Sequence, residues 1–247
     1  MYPRIEIDIK KIKHNTTTLV NKCSNSNIKI AGVTKVFCAD PIIARAYVDG
    51  GVSVIADSRV QNLKRLKDIN IEKWLLRLPS KSEIEEVIEF ADVSLNSEID
   101  IIELLSKKAL EKNKIHEILL MVDLGDLREG IFDREELFET VRKTKKLKGI
   151  EIRGIGTNLT CYGGIIPKKN NLSELIKIKE DIEDILGFKI ETISGGNSSS
   201  LYLIDKGELP TGINQLRLGE ALVLGRETAY GKPIEDKYDD VFILKTE

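Results

Sequence analysis

Residues 93–122 read VSLNSEIDIIELLSKKALEKNKIHEILLMV. A short β-preferring run, Val93 to Leu95, leads into a charged, helix-favouring segment, Glu98 to Lys112, and then into an apolar run, Ile118 to Val122. Short apolar runs have the length of buried strands, and a helix between two of them predicts a βαβ unit with parallel pairing. Ser97 with Asp100 has the spacing at which a side-chain oxygen and a carboxylate satisfy the free amides of a helix start. The same rhythm extends both ways. Candidate strands Ile28–Val33, Val52–Ala56 and Trp74–Leu78 precede this unit, and Ile150–Ile155, Ile190–Ile193 and Gln215–Leu218 follow it. Helical segments Glu135–Lys146 and Ser173–Leu186 lie between the later ones, with further capping signals at Ser80/Glu83 and Asp133/Glu136.

Eight strands alternating with helices predict an α/β fold with right-handed crossovers, and about 250 residues is the size of a closed (β/α)8 TIM barrel. A doubly wound open sheet is the competing arrangement of the same alternation. A strand at Arg4–Asp8 and a helix at Lys10–Lys22 stand ahead of the repeating part. At the other end the chain turns polar through GKPIEDKYDD (231–240), and VFILKTE (241–247) then begins a new hydrophobic alternation.

The 247 residues, 41% hydrophobic and 32% charged, exclude a disordered or collagenous chain. With 38 basic against 40 acidic groups there is no net positive field, which argues against nucleic acid or an anionic membrane as partner. No stretch approaches the roughly 20 apolar residues of a membrane helix, and MYPRIEIDIKKIK (1–13) builds no signal-peptide core, so a cytoplasmic location is expected. Three cysteines without a CxxC and only two histidines argue against a structural metal or a disulfide framework.

In a barrel, functional residues gather at the C-terminal strand ends. The first long strand ends in IAGVTKVFCAD (30–40), placing Lys35 at the end of a β-rich, apolar run. Burial there disfavours the charged amine and leaves a nucleophile; a solvated strand terminus is the alternative. The fifth strand runs into LLMVDLGDLREG (119–130), with Arg128 just beyond it. A guanidinium grips a carboxylate in a bidentate fork, or it pairs with Asp123, Asp126 or Glu129 nearby. The sixth ends in GIGTNLTCYGG (154–164), where Asn158 can hydrogen-bond a ligand. ISGGNSSS (193–200) offers glycines, Asn197 and serines at a helix start, and QLRLGEALVLG (215–225) supplies Gly219 and its neighbouring amides. Loops after strands seven and eight are the recurrent phosphate site of barrels, although a serine-capped turn is the plainer reading of SGGNSSS. A phosphate on one side and a lysine on the other frame pyridoxal 5'-phosphate better than a metal, with Arg217 placed to meet the ring nitrogen.

Together these segments resemble the fold type III pyridoxal-phosphate enzymes of the alanine racemase family, in the ornithine racemase-like branch. VTKVFCAD resembles the cofactor-lysine segment, VDLGDLREG the arginine loop, GTNLT the segment beside the ring, GGNSSS the phosphate loop, and RLGEAL the arginine-plus-glycine strand. The resemblance implies that Lys35 binds the cofactor as an imine and acts as one base at the substrate Cα. It implies that Arg128 binds the substrate carboxylate or the cofactor's phenolate oxygen, and that Asn158 lies beside the ring. Asn197, Ser198, Gly219 and Glu220 would hold the phosphate, with Arg217 facing the pyridine nitrogen. The implied activity is racemisation of a free amino acid, ornithine first, by a homodimer. Residues 1–230 would form the barrel, with 1–10 able to pack against a β-domain that begins at 231–247 and is cut short.

Ala39 and Met121 depart from the alanine racemases, which have a phosphate-binding tyrosine and often a modified lysine there. A second acid/base belongs on the far face of the substrate. Cys161 and Tyr162 lie near enough in the chain to be weighed for it, against a tyrosine from outside this segment. ADSRVQNLKRL (56–66) also resembles the single-domain pyridoxal-phosphate-binding homeostasis proteins, a carrier reading without turnover. A third reading, a sugar-phosphate barrel, would use carboxylates such as Asp57 and Asp123. Glu220 or Asp57 is the carboxylate expected to meet a distal substrate ammonium.

Overall fold

The computed structural model describes residues 2–161 and 164–247. β1 (Arg4–Ile7) and α1 (Ile9–Ser24) come first, with Asp8 between them accepting from the amides of Lys10 and Lys11. The alternation then runs β2 (Lys29–Val33), α2 (Pro41–Asp49), β3 (Val54–Asp57), α3 (Val60–Arg65), β4 (Glu72–Leu75), α4 (Ile84–Phe90), β5 (Val93–Asn96) and α5 (Ile99–Glu111). It continues with β6 (His116–Met121), α6 (Arg134–Thr144), β7 (Ile150–Gly156), α7 (Lys169–Leu186), β8 (Thr192–Ser194), α8 (Leu201–Asp205), β9 (Gln215–Leu218) and α9 (Glu220–Leu224). β10 (Phe242–Lys245) is last.

Strands β2 to β9 pair in parallel and close into a barrel, β9 returning to β2 with Lys29 opposite Gln215 and Ala31 opposite Arg217. The expected (β/α)8 barrel is therefore the one observed, and the open sheet is excluded. Its interior is filled by Ala31, Val33, Val54, Ala56, Trp74, Val93, Leu95, Leu119 and Met121, while two larger apolar layers lie between strands and helices. β1 and β10 stand outside the barrel as an antiparallel ribbon, Arg4 opposite Lys245 and Ile7 opposite Phe242. Both strands foreseen at the ends of the chain thus exist, and they pair with each other.

Two local expectations are corrected. Ser97 caps nothing: the residue before α5 is Glu98, and its side chain makes no capping bond. Ser80 with Glu83 and Asp133 with Glu136 do cap, as their spacing predicts. The fourth strand begins at Glu72 rather than Trp74, because Glu72 accepts from Trp74 Nε1 at 2.6 Å and pairs with Arg153, which also meets Glu117 at 2.9 Å. Arg153 is the extra residue where the β6–β7 register shifts, so the bulge turns a guanidinium toward two strand carboxylates at the barrel's N-terminal end. Gly154 follows it because a Cβ there would sit 1.9 Å from the Thr192 carbonyl oxygen.

His116 opens β6, 3% exposed, with Nε2 2.8 Å from Ser94 Oγ. Burial, helped by Lys114, pushes its pKa down to about 4. The unfolded chain, with the ordinary value near 6.5, binds a proton where the fold does not, so stability present above that value is lost as pH falls from about 6.5 to about 4. Chemical denaturation across this window should show a loss of up to about 3 kcal/mol from this group, and His116→Asn should flatten the slope. An unchanged slope in the variant would remove His116 as its source.

Candidate functional site

The C-terminal ends of the strands surround a cavity of about 760 Å³, the size of a small-molecule site. Eight of the residues singled out from sequence, Lys35, Arg128, Asn158, Asn197, Ser198, Arg217, Gly219 and Glu220, line it.

Lys35 opens a single 3-10 turn, Lys35–Phe37, directly after Thr34. Thr34 fixes that turn by donating its hydroxyl to Asp57 Oδ2 at 2.7 Å, and Arg65 Nη1 donates to the Cys38 carbonyl at 2.8 Å. Lys35 itself is exposed, so of the two readings of this strand end the solvated terminus is the one observed, and the chain carries the side chain out into the mouth. Asp57 also accepts from the Arg59 amide and Asn62 Nδ2, both at 3.0 Å. Fully buried and absent from the cavity lining, it does not face a ligand there, so the roles weighed for it as a catalytic carboxylate or ammonium partner are not supported. Asp123 likewise serves its own loop, taking the amides of Gly125 at 2.8 Å and Leu127 at 3.2 Å.

That loop carries Arg128. It is closed at its base by the Val122–Ile131 bridge and by Gly130, whose φ is +112° and where a Cβ would lie 2.7 Å from the Asp123 nitrogen, leaving no room for a side chain. Arg128 Nε pairs with Glu129 Oε2 at 2.8 Å, and Asn158 Nδ2 donates to Glu129 Oε1 at 2.7 Å. Of the three carboxylates weighed as partners of Arg128, Glu129 is the one the loop presents. Its hold on Asn158 was not foreseen, because the two residues belong to different strands.

After β8 the chain turns through Gly195 and Gly196, the latter at φ +108°. Asn197 Oδ1 accepts from the Ser199 amide at 2.8 Å, and its Nδ2 donates to Asn158 Oδ1 at 2.8 Å and the Leu159 carbonyl at 3.0 Å. Its side chain thus ties the β8 loop to the β7 loop. Ser198 begins a 3-10 turn and Glu220 begins α9, positions at which amides lack partners within their own helix. The Ala221 amide donates to Ser198 Oγ at 3.3 Å, which draws the two starts together. The Glu220 side chain turns to Arg226, 2.6 Å away.

Arg217 lies on β9, 4% exposed, and donates through Nη1 to Ser194 Oγ and through Nη2 to the Thr157 carbonyl at 2.7 Å. Burial pulls its pKa down to about 10, opposed by Glu129 and Cys161 and assisted by Arg128, so it stays charged at neutral pH. Ser194 and Thr157 lie inside the quoted ISGGNSSS and GTNLT segments, but spacing alone did not single them out as the acceptors of a buried guanidinium. Arg77, just past β4, also lines the cavity and was missed. Cys161 lies at the rim, with Sγ 3.2 Å from Asn197 Nδ2. Tyr162, weighed with it as a second acid/base, lies outside the described residues.

The arrangement combines an accessible amine, two adjoining helix starts, a buried obligate cation and a second guanidinium on the opposite loop. That donor set fits a phosphate-bearing aldehyde: amides for the phosphate, the amine for its carbonyl carbon, and Arg217 for a ring acceptor.

Comparison with known proteins agrees with this geometry. The model of the alanine racemase N-terminal domain matches residues 7–227. The chain is 51% identical over 245 residues to an ornithine racemase of Acetoanaerobium sticklandii, covering 99% of this chain and 69% of that protein. It is 39% identical over 249 residues to a lysine racemase of Thermotoga maritima, covering 100% and 69%. Among solved structures, the alanine racemase of a D-cycloserine-producing Streptomyces lavendulae superposes with a TM-score of 0.76 at 19% identity, over 92% of this chain and 60% of that one.

Replacing Ser194 by alanine leaves the buried Arg217 Nη1 without its hydroxyl acceptor. Urea unfolding of Ser194→Ala should show a loss of roughly 1–3 kcal/mol, the cost of an unsatisfied buried donor. A loss within experimental error would mean that Arg217 finds another acceptor.

Proposed function

Since this chain belongs to the family of the alanine racemase N-terminal domain, we propose that it binds pyridoxal 5'-phosphate and racemises a free amino acid, ornithine before others. The observation carrying this reading is the meeting of Lys35, Arg217 and the two amide-bearing helix starts around one cavity. When bound, pyridoxal phosphate supplies a carbonyl carbon and an electron-withdrawing ring that make the Cα–H of an attached amino acid acidic.

The chain's own residues do the rest. Lys35 anchors the cofactor's carbonyl carbon and, from its own face, removes or returns the proton at the substrate Cα. The amides of Ser198, Gly219 and Glu220 hold the phosphate, while Asn197 keeps their loop in place. Asn158, which lines the same cavity, would lie beside the ring once the cofactor is bound. Arg217, charged and without an acceptor atom, can only donate a hydrogen bond to the ring nitrogen. Arg128 receives the substrate carboxylate, its planar fork matching the two oxygens. Preference for ornithine draws on the two relatives named above, an ornithine and a lysine racemase, whose amino acids both carry a distal amine.

A cytoplasmic homodimer completes the proposal. Val36 and Leu127, 60% and 67% exposed, adjoin Lys35 and Arg128 and put apolar surface at the rim that a second chain would cover. The β1–β10 ribbon, lying outside the barrel, supports assigning residues 1–230 to the barrel and 231–247 to a separate β-rich unit, with the first residues packing on the latter.

Proton NMR in D2O tests the reading directly. The cofactor-loaded protein, given L- or D-ornithine, lysine, alanine or serine, should erase the α-hydrogen signal of ornithine fastest. Lys35→Ala should lower that exchange by roughly 10²–10⁴-fold or more, the scale of a lost general base. A protein that binds the cofactor yet exchanges no amino acid would instead be a carrier.

A further inference from the structure

We infer that Glu129 is the positioning residue of this site: it sets the guanidinium of Arg128 for the substrate carboxylate. This rests on the reading of Arg128 as the carboxylate-binding group.

Among the described residues two carboxylates line the cavity, Glu129 and Glu220. Glu220 turns to Arg226 and its side chain is 38% exposed, whereas the Glu129 side chain is 13% exposed and faces two site residues at once. One oxygen forms an ion pair with Arg128 Nε at 2.8 Å and the other accepts from Asn158 Nδ2 at 2.7 Å. Arg128, 38% exposed on a loop, is a long side chain with much rotameric freedom to lose, so a fixed orientation needs a fixed partner.

The polarity of the surrounding hydrogen bonds supplies that partner. A carboxylate only accepts, so Asn158 must turn its NH2 group toward Glu129. Its oxygen then faces Asn197 Nδ2 at 2.8 Å, and the Asn197 oxygen is left to cap the Ser199 amide at 2.8 Å. Glu129 is thereby anchored through two asparagines to the loop after β8. With one oxygen held by this chain, the other is aimed at Arg128 Nε, leaving the outer edge of the guanidinium for a ligand.

Glutamine at position 129 has one acceptor oxygen and one NH2 group. The oxygen can satisfy Asn158 or Arg128 but not both, and the NH2 group opposes either donor. Glu129→Gln should therefore keep the Asn158 bond and release Arg128.

The amino-acid concentration giving half-maximal α-hydrogen exchange should rise roughly ten- to hundredfold in Glu129→Gln, the scale of a lost bond to a charged group. The saturating rate and the cofactor dissociation constant, read by absorbance titration, should change by less than about threefold, within the scatter of a site left otherwise intact. A double-mutant cycle isolates the route: in Arg128→Ala, adding Glu129→Gln should raise the half-saturating concentration no further. Additive effects in that cycle would overturn the proposal, because Glu129 would then act on substrate directly or through another group. A crystal structure of the cofactor-loaded Glu129→Gln protein gives a readout independent of turnover. Arg128 should leave its present position while Asn158 stays on Asn197; an unmoved Arg128 would overturn the proposal. If the wild type exchanges no amino acid, the racemase reading fails by itself, and the position of Arg128 in that crystal structure still decides whether Glu129 holds it.

Discussion

The ladder between β2 and β9 closes the barrel, and the whole mouth depends on that closure. It joins strands separated by most of the chain, with Ala31 opposite Arg217 and Gly32 opposite Leu218. Joining segments so far apart carries a loop-closure cost that only the completed ring of strands and its packed interior offsets. Lys35 leaves β2 beside the Gly219–Glu220 start that follows β9, so the amine and the start of that helix share a cavity. In an open sheet of the same strands they would sit on opposite edges. The join is tight: a Cβ on Gly219 would lie 3.3 Å from the Cβ of Val33.

Within that ring the most demanding group is the Arg217 guanidinium, a buried charge held by neutral dipoles. Its donors impose a direction on their neighbours. Ser194 accepts from Nη1, so its own proton goes to Gln215 Oε1 at 2.8 Å, and Gln215 Nε2 is left without a partner among the described residues. Thr157 contributes only its carbonyl, and its buried hydroxyl is also without a partner among the described residues. A donor fixed at the base of the cavity is consistent with carrying these unsatisfied atoms, since functional sites are where local rules are broken.

Much of this architecture could be read from local pattern. The last barrel strand, Gln215–Leu218, coincides with its predicted span, and most of the others agree within two residues at either end. β4 departs further because its first residues are charged: Glu72 is held by Arg153 of β7 and by Trp74 of its own strand, while the Lys73 amide donates to Asp92 Oδ2 at 2.7 Å. The Ser97 signal failed for a related reason: cap spacing describes what a side chain can reach, while the path of the entering backbone decides whether it does. The apolar residues before Lys35 left burial and a solvated terminus both open, and a 3-10 turn carries it out.

The amino-acid sequence by itself determined the alternation of strand and helix, the glycine-bearing loops at the strand ends, and the chemical types that gather there, since periodicity and turn chemistry act over a few residues. It also named eight residues that line one cavity. Only the tertiary structure decided who holds whom: Glu129 between Arg128 and Asn158, Asn197 between two loops, Ser194 beneath Arg217, and β1 against β10. Those pairings depend on burial and on the direction of each hydrogen bond. Apart from Arg128 with its chain neighbour Glu129, these join groups far apart in the sequence that meet only in the folded chain.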